Sequence, residues 1–258
     1  MKVLVSADIH YSLKQFDWLV SVAEDFDLVV LAGDLLELSS SVERRAQIVV
    51  VRAYLEQLAQ KTRLAVCSGN HDLDIINDAG EQVADWMRDL QELGVYTDGT
   101  TLRIDQTLIT ICPWWDGPAT RNAIGAQLAQ AATEPRDCWI WVYHAPPHDS
   151  PVSWGGKRSF GDAELTRWIA AFHPDIVLSG HVHQSPFVTG GSWADKIHDS
   201  WVFNMGQQIG SSPAHIILDL AERTALWFSI YGNEILDLDA PLQRPIPALT
   251  KLPDWLTA

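Results

Sequence analysis

The stretch Lys2-Val3-Leu4-Val5-Ser6-Ala7-Asp8-Ile9-His10 decides how the rest of the chain is read. Lys2–Ala7 is an apolar run of strand length, and it stops at two side chains, Asp8 and His10, of types that ligate metals. An apolar strand ending in such residues recurs four more times. Asp27–Ala32 (DLVVLA) runs into Gly33-Asp34, and Arg63–Cys67 (RLAVC) into Gly69-Asn70-His71-Asp72. Cys138–Tyr143 runs into His144, and Asp175–Leu178 into Gly180-His181-Val182-His183. Open α/β sheets gather their ligands along one edge, at the ends of their strands. Five of the nine histidines fall at these ends, which marks them as a set and leaves His148, His173, His198 and His215 outside it.

Helical spacing fills the gaps between the early strands. Leu13–Glu24 carries Leu13, Phe16, Leu19, Val20 and Ala23 on one face, Val42–Gln60 reads as a longer helix, and Ala79–Leu93 as a helix stopped by Gly94. Thr101–Ile104 and Thr107–Cys112 read as a hairpin around Asp105-Gln106. Asn122–Ala132 and Ala163–Phe172 are predicted helices, and the last third holds strands at Trp201–Phe203, His215–Leu220 and Thr224–Ile230. Alternating βα units followed by strands imply a layered α/β sandwich with mixed sheets. No repeat or linker divides the sequence, so one domain is expected over 1–258. A tail from about Asp237, bearing Pro241, Pro245, Pro247 and Pro253, is expected to lie extended over the surface.

Composition narrows the function. At 258 residues, 47% hydrophobic and 20% charged, the chain can bury a full core. Its 18 basic residues against 33 acidic ones give a net charge of −15. That counts against a sequence-independent grip on a nucleic acid polymer. It leaves room for a phosphate substrate, because bound metal inverts the local field. Cys67, Cys112 and Cys138 have no CxxC spacing and are expected as buried free thiols. The apolar stretch at the N-terminus is too short for an export signal and no run is long enough to span a membrane, so a cytoplasmic location is expected. No oligomeric state can be assigned.

Asp, His and Asn without thiolate form a hard-to-borderline ligand set suited to Mn, Fe or Zn. A glycine before Asp34, Asn70 and His181 allows the sharp turns that aim these side chains inward. There are enough ligands for two ions, and two adjacent ions clamp the attacking and leaving oxygens of a phosphoryl transfer. The ordered elements Asp8-x-His10, Gly33-Asp34, Gly69-Asn70-His71-Asp72, His144 and Gly180-His181-Val182-His183 resemble the signature of the calcineurin-like metallophosphoesterase superfamily. Asn204-Met205-Gly206 is similar to the Asn-x-Gly turn of its compact bacterial members.

The resemblance implies an αββα sandwich with two mixed β-sheets and a metal site at the strand ends. It implies that Asp8, His10 and His183 bind one divalent or trivalent ion, and that Asn70, His144 and His181 bind a second. Asp34 would bridge the two, opposite a bridging hydroxide that attacks phosphorus in line. His71 would stand over the phosphate and assist the leaving oxygen. Glu37 and Asp72 are candidates to support this machinery, and Asn204 is a further candidate near it. The run Gly33-Asp34-Leu35-Leu36-Glu37 lacks the Arg that follows in protein phosphatases, which counts against that class. Trp114 and Trp154 are candidates to wall the substrate cleft, and Lys157 and Arg158 to contact a substrate anion. The expected activity is hydrolysis of small phosphate esters, with diesters favoured over monoesters. Nuclease action and a non-catalytic scaffold of the same fold are the alternatives.

Overall fold

The structure is a computed structural model, and it describes residues 1–253. In chain order the elements are β1 (Lys2–Ser6), α1 (Leu13–Val22), β2 (Leu28–Ala32), α2 (Arg44–Lys61), β3 (Arg63–Cys67), β4 (Ile75–Ile76), β5 (Gln82–Val83), β6 (Val95–Tyr96), β7 (Thr101–Ile104), β8 (Thr107–Ile111) and α3 (Pro118–Ala131). They continue with β9 (Cys138–Val142), α4 (Ala163–Phe172), β10 (Ile176–Ser179), β11 (Ala194–Ile197), β12 (Ser200–Asn204), β13 (His215–Asp219), β14 (Thr224–Ser229) and β15 (Gly232–Asp237).

Two mixed sheets pack face to face. One has the order β15-β14-β13-β1-β2-β3-β6 and the other β11-β12-β10-β9-β8-β7. Side-chain alternation in β1 shows how the layers form. Val3 and Val5 enter the core between the sheets, while Leu4 faces the helical layer with Phe16 and Leu19 of α1 and Val51 and Leu55 of α2. The second sheet repeats the arrangement, with Trp139 and Trp141 turned toward Ile124 and Leu128 of α3 and Leu165 and Ile169 of α4. The result is an αββα sandwich, the form the resemblance implies, where the strand and helix patterns alone imply a layered α/β sandwich with mixed sheets. The central core draws on residues from Val3 to Ile246.

The expected helix over 79–93 is absent. Asn77 and Gly80 close a turn between β4 and β5, and the rest, Asp85–Leu93, is 3₁₀ helix. Carboxylates redirect this backbone. Asp74 accepts the Asp85 N–H at 2.7 Å, and Glu81, just before β5, accepts the Ala119 and Thr120 N–H groups at the start of α3. Gly94 does end the segment, in the left-handed conformation. Helix α3 starts four residues earlier than expected, at Pro118, because proline suits the first helical position. The two-residue strands β4, β5 and β6, and the longer β11 and β15, carry no clear signal in the sequence pattern.

Beyond β15 the chain turns back. Glu234 bridges Ala248, the Ile235 N–H donates to Pro247 O, and Ile246 is buried in the core. Arg244 reaches Asp195 at 2.8 Å. The last five positions of the tail, 254–258, lie outside the described residues. Cys67, Cys112 and Cys138 are buried free thiols, each pushed up by burial.

Candidate active site

Strands β1, β2 and β3 run parallel in one sheet, and β9 and β10 run parallel in the other. Their C-terminal ends face a common edge, so the five loops carrying the Asp, His and Asn residues converge there. Backbone bonds lock the loops together. The Asp8 N–H donates to Gly33 O and the His10 N–H to Asp34 O, both at 3.0 Å. Asp8, His10, Asp34 and His181 all take positive φ, which non-glycine residues adopt only where the surroundings compel it. Gly69 and Gly180 are required for another reason: a Cβ at Gly69 would strike Asp34, and one at Gly180 would strike Asp8.

Asp72 holds the frame. Fully buried, its carboxylate accepts the N–H groups of Asp34, Leu35, Leu36 and Gly69 at 2.8–3.0 Å, which clamps the loop after β2 to the loop after β3. Asn204 does similar work elsewhere. Its amide donates to Val152 O and Val182 O and its oxygen accepts the Gly206 N–H, so it ties the loop after β9 to the His181–His183 loop.

Three groups of ligand-type side chains result. Asp8, His10, Asp34 and His183 form the first; Asp34, His144 and His181 the second; His10, Glu37 and His71 the third. Asp34 belongs to both of the first two groups. Its Oδ1 accepts the His71 N–H at 2.8 Å, while Oδ2 lies 3.1 Å from His144 Nε2 and 3.8 Å from His10 Nε2. In the first group, His183 Nε2 lies 3.4 Å from Asp8 Oδ1 and 3.0 Å from His10 Nε2. Asn70 joins the second group, with Oδ1 2.8 Å from His181 Nδ1.

Charge and burial act together here. Burial works to raise Asp34 and Asp8, but their histidine neighbours prevail and hold both carboxyls below the usual range. Burial lowers His144, but Asp34 and Asp8 outweigh it and bring the ring to about 9. Burial and then the His144 charge lower His181 to about 4. These are opposite shifts in adjacent rings, as expected where charges are crowded out of water.

The geometry fits a metal. His144 Nδ1 donates to Ala32 O at 2.7 Å, so Nε2 is the nitrogen turned toward the Asp34 carboxylate, and without a cation the charged ring that Asp34 and Asp8 favour carries its second proton there. Nε2 is buried and has no hydrogen-bond partner. A bound cation would take over the role of that proton in a dry site, and the set of imidazole, carboxylate and amide oxygen suits a hard-to-borderline ion. The thiols take no part.

The other predicted residues divide. Glu37 faces both His10 Nδ1 at 3.2 Å and His71 Nδ1 at 3.7 Å. Trp114 stands beside the second group, with its ring centroid 5.2 Å from that of His181 and 5.7 Å from that of His144. The Trp154 indole N–H donates to Thr189 O in the loop leading to Gly190. Lys157 and Arg158 are exposed in the 154–159 hairpin, where the Arg158 guanidinium stacks on Phe160 at 4.5 Å. The sequence reading missed the mouth on the His183 side, where Phe187, Ile209 and Tyr231 gather; they lie far apart in sequence and show no periodic signal.

The chain belongs to the calcineurin-like phosphoesterase family, whose model matches residues 1–185. No curated protein sequence matches it. Among solved structures it is similar to TT1561 of Thermus thermophilus, with a TM-score of 0.59 at 16% identity, covering 92% of this chain and 98% of that one. It is also similar to the purple acid phosphatase PPD1 of yellow lupin, with a TM-score of 0.58 at 14% identity, covering all of this chain and 55% of the other. A dimetal phosphatase of Danio rerio gives a TM-score of 0.54 at 8% identity, covering 88% and 95% of the two chains. At these identities the structural likeness extends to the fold. No helix among the described residues is long and apolar enough to cross a membrane.

Proposed function

We propose that this chain is a dinuclear-metal phosphoesterase acting on small phosphate esters, with diesters preferred, and that residues 1–258 work as a single unit. The observation that carries this reading is Asp34, one carboxylate common to two groups of ligand-type side chains. In this reading Asp8, His10, Asp34 and His183 hold one ion, and Asp34, Asn70, His144 and His181 the other. Mn, Fe and Zn are the ions such a set accommodates. When bound, the two ions neutralise the phosphate and lower the pKa of an attacking water.

The chain's own groups supply the rest. Asp72, through four N–H groups, keeps Asp34 and the His71 loop in register. His71 Nδ1 accepts the Leu38 N–H at 3.4 Å, which puts the proton of the neutral ring on Nε2. A second proton, on Nδ1 beside the Glu37 carboxylate, makes the ring an imidazolium, and with its side chain 23% exposed His71 can then donate the Nε2 proton to the departing ester oxygen and return to the neutral ring. Glu37, on the Nδ1 side, favours a ring oriented for that transfer. Trp114 is read as a wall on the His181 side.

A scaffold reading is weakened because no member of the ligand pattern is missing. A nuclease reading is weakened by the −15 charge. The test is to strip the protein, add Mn, Fe or Zn, and assay bis(p-nitrophenyl) phosphate beside p-nitrophenyl phosphate and duplex DNA. A higher kcat/KM for the diester is expected. Inactivity on every ester with every metal would overturn the proposal, and efficient, salt-sensitive cleavage of duplex DNA would favour the nuclease.

A further inference from the structure

A cavity of about 890 Å³ opens beside His183, on the side of the centre away from Trp114. Its walls are Phe187, Ile209, Trp227, Ile230 and Tyr231. The aromatic rings form a continuous surface, Phe187 lying 5.6 Å from Trp227 and 5.3 Å from Tyr231 between centroids. Three of the walls are apolar residues left open to solvent: Ile209 is 94% exposed, Tyr231 77% and Ile230 59%. Apolar groups gathered this way around a concavity mark a binding surface.

The walls are built in place. Gly206, at φ +70°, brings the chain so close that a Cβ there would strike Phe187 and His183 O. The Gln207 N–H donates to His183 O at 3.0 Å, which joins this loop to the metal-side loop. Gln208 accepts the Ile230 N–H at 2.9 Å and donates to Ser212 O, pinning the 207–212 loop to the β14–β15 turn. Charge narrows the occupant further. The lining has one carboxylate, Glu234, and neither lysine nor arginine, so a second phosphate or a carboxylate would be repelled.

We propose that this cavity binds the organic group of the ester substrate, and that the group is bulky, uncharged and apolar over most of its surface. The proposal rests on the phosphoesterase reading, since a phosphate held beside His183 would direct one substituent into the cavity. It makes Ile209, Tyr231 and Phe187 the residues that set specificity. A fused aromatic ring and an alkyl chain share this chemistry, and the test separates them.

The experiment is calorimetric titration of the metal-loaded protein with methyl-, hexyl- and 1-naphthylphosphonate, whose C–P bonds are not hydrolysed. Wild type is run beside Ile209→Ser and Tyr231→Ser, two exposed positions outside the Asp/His groups. At least about tenfold tighter binding of hexyl- or naphthylphosphonate than of methylphosphonate is expected, with the preference cut severalfold in each variant. A naphthyl preference identifies a ring and a hexyl preference a chain. Equal affinities for all three, or a preference unchanged in both variants, would overturn the proposal. Failure of turnover alongside an intact binding preference would count against the phosphoesterase reading alone.

Discussion

At Asp34 and His144 the side chains are held by backbone bonds and excluded from water: the His144 side chain is 0% exposed and its Nδ1 is committed to Ala32 O, while Asp34 accepts the His71 N–H. In the other group the Asp8 and His10 side chains are also buried, and it is at His183 that the same chemistry is left open. The His183 side chain is 37% exposed, Glu37 and His71 crowd His10, and the apolar cavity begins at His183. The contrast assigns different work to the two halves. In the proposed reading the His144 end fixes geometry, and the His183 end meets substrate and solvent.

The strongest way to break this division is Asp34→Ala, which removes the one ligand both halves use. Both ions are expected to be lost and kcat/KM to fall by about 10³-fold or more. A variant that keeps two ions per chain by elemental analysis would sink the shared-ligand assignment. Next comes His71→Asn, which belongs to the open half without being a proposed ligand. It is expected to keep both ions and lose about 10²-fold in kcat on alkyl esters, with a much smaller loss on p-nitrophenyl esters, whose leaving group departs unprotonated. Equal losses on both, measured where chemistry limits turnover, would reject the proton-donor role.

A pair of alanine variants sharpens the comparison. His144→Ala leaves Ala32 O without its partner and opens a buried void. It should destabilise the protein by about 2–3 kcal/mol in denaturant unfolding, while His183→Ala should cost well under about 1 kcal/mol. Similar losses for the two would erase the distinction.

The smallest effect is on pH dependence after chelation. His144, raised to about 9, contributes stability that is present below about pH 6.5 and is lost as pH rises through 9. His181, lowered to about 4, contributes stability that is lost as pH falls from about 6.5 through 4. On the acid side that loss is opposed by Asp72 and Asp98, which burial raises to about 7 and about 6. The clear expectation is therefore a Tm of stripped protein that falls by roughly a few degrees as pH rises from 6.5 through 9. Ion binding needs both rings unprotonated, so loading should flatten the alkaline side. A Tm rising steadily from pH 6.5 to 9 in stripped protein would contradict this.

The ligand-type residues were legible because each abuts an apolar strand, and β1, β2, β3, β9 and β10 are short, buried runs with clear ends. Residues 79–93 misled because helical spacing was present while Asp74 and Glu81 diverted the backbone through bonds to distant N–H groups. Trp154 and Trp114 look alike in sequence, and their neighbours, the Thr189 carbonyl for one and the His144 and His181 rings for the other, are set by the fold. The cavity was invisible for a further reason: its walls come from the His183 loop, the 207–212 loop and the β14–β15 turn, which only the sheet order brings together.

The most direct test of the central claim is anomalous diffraction from crystals of the protein loaded with Mn. Two peaks are predicted on the edge formed by β1, β2, β3, β9 and β10, close enough for Asp34 to touch both, one beside Asp8, His10 and His183 and the other beside Asn70, His144 and His181. A single peak, or two peaks that do not share Asp34, would contradict it.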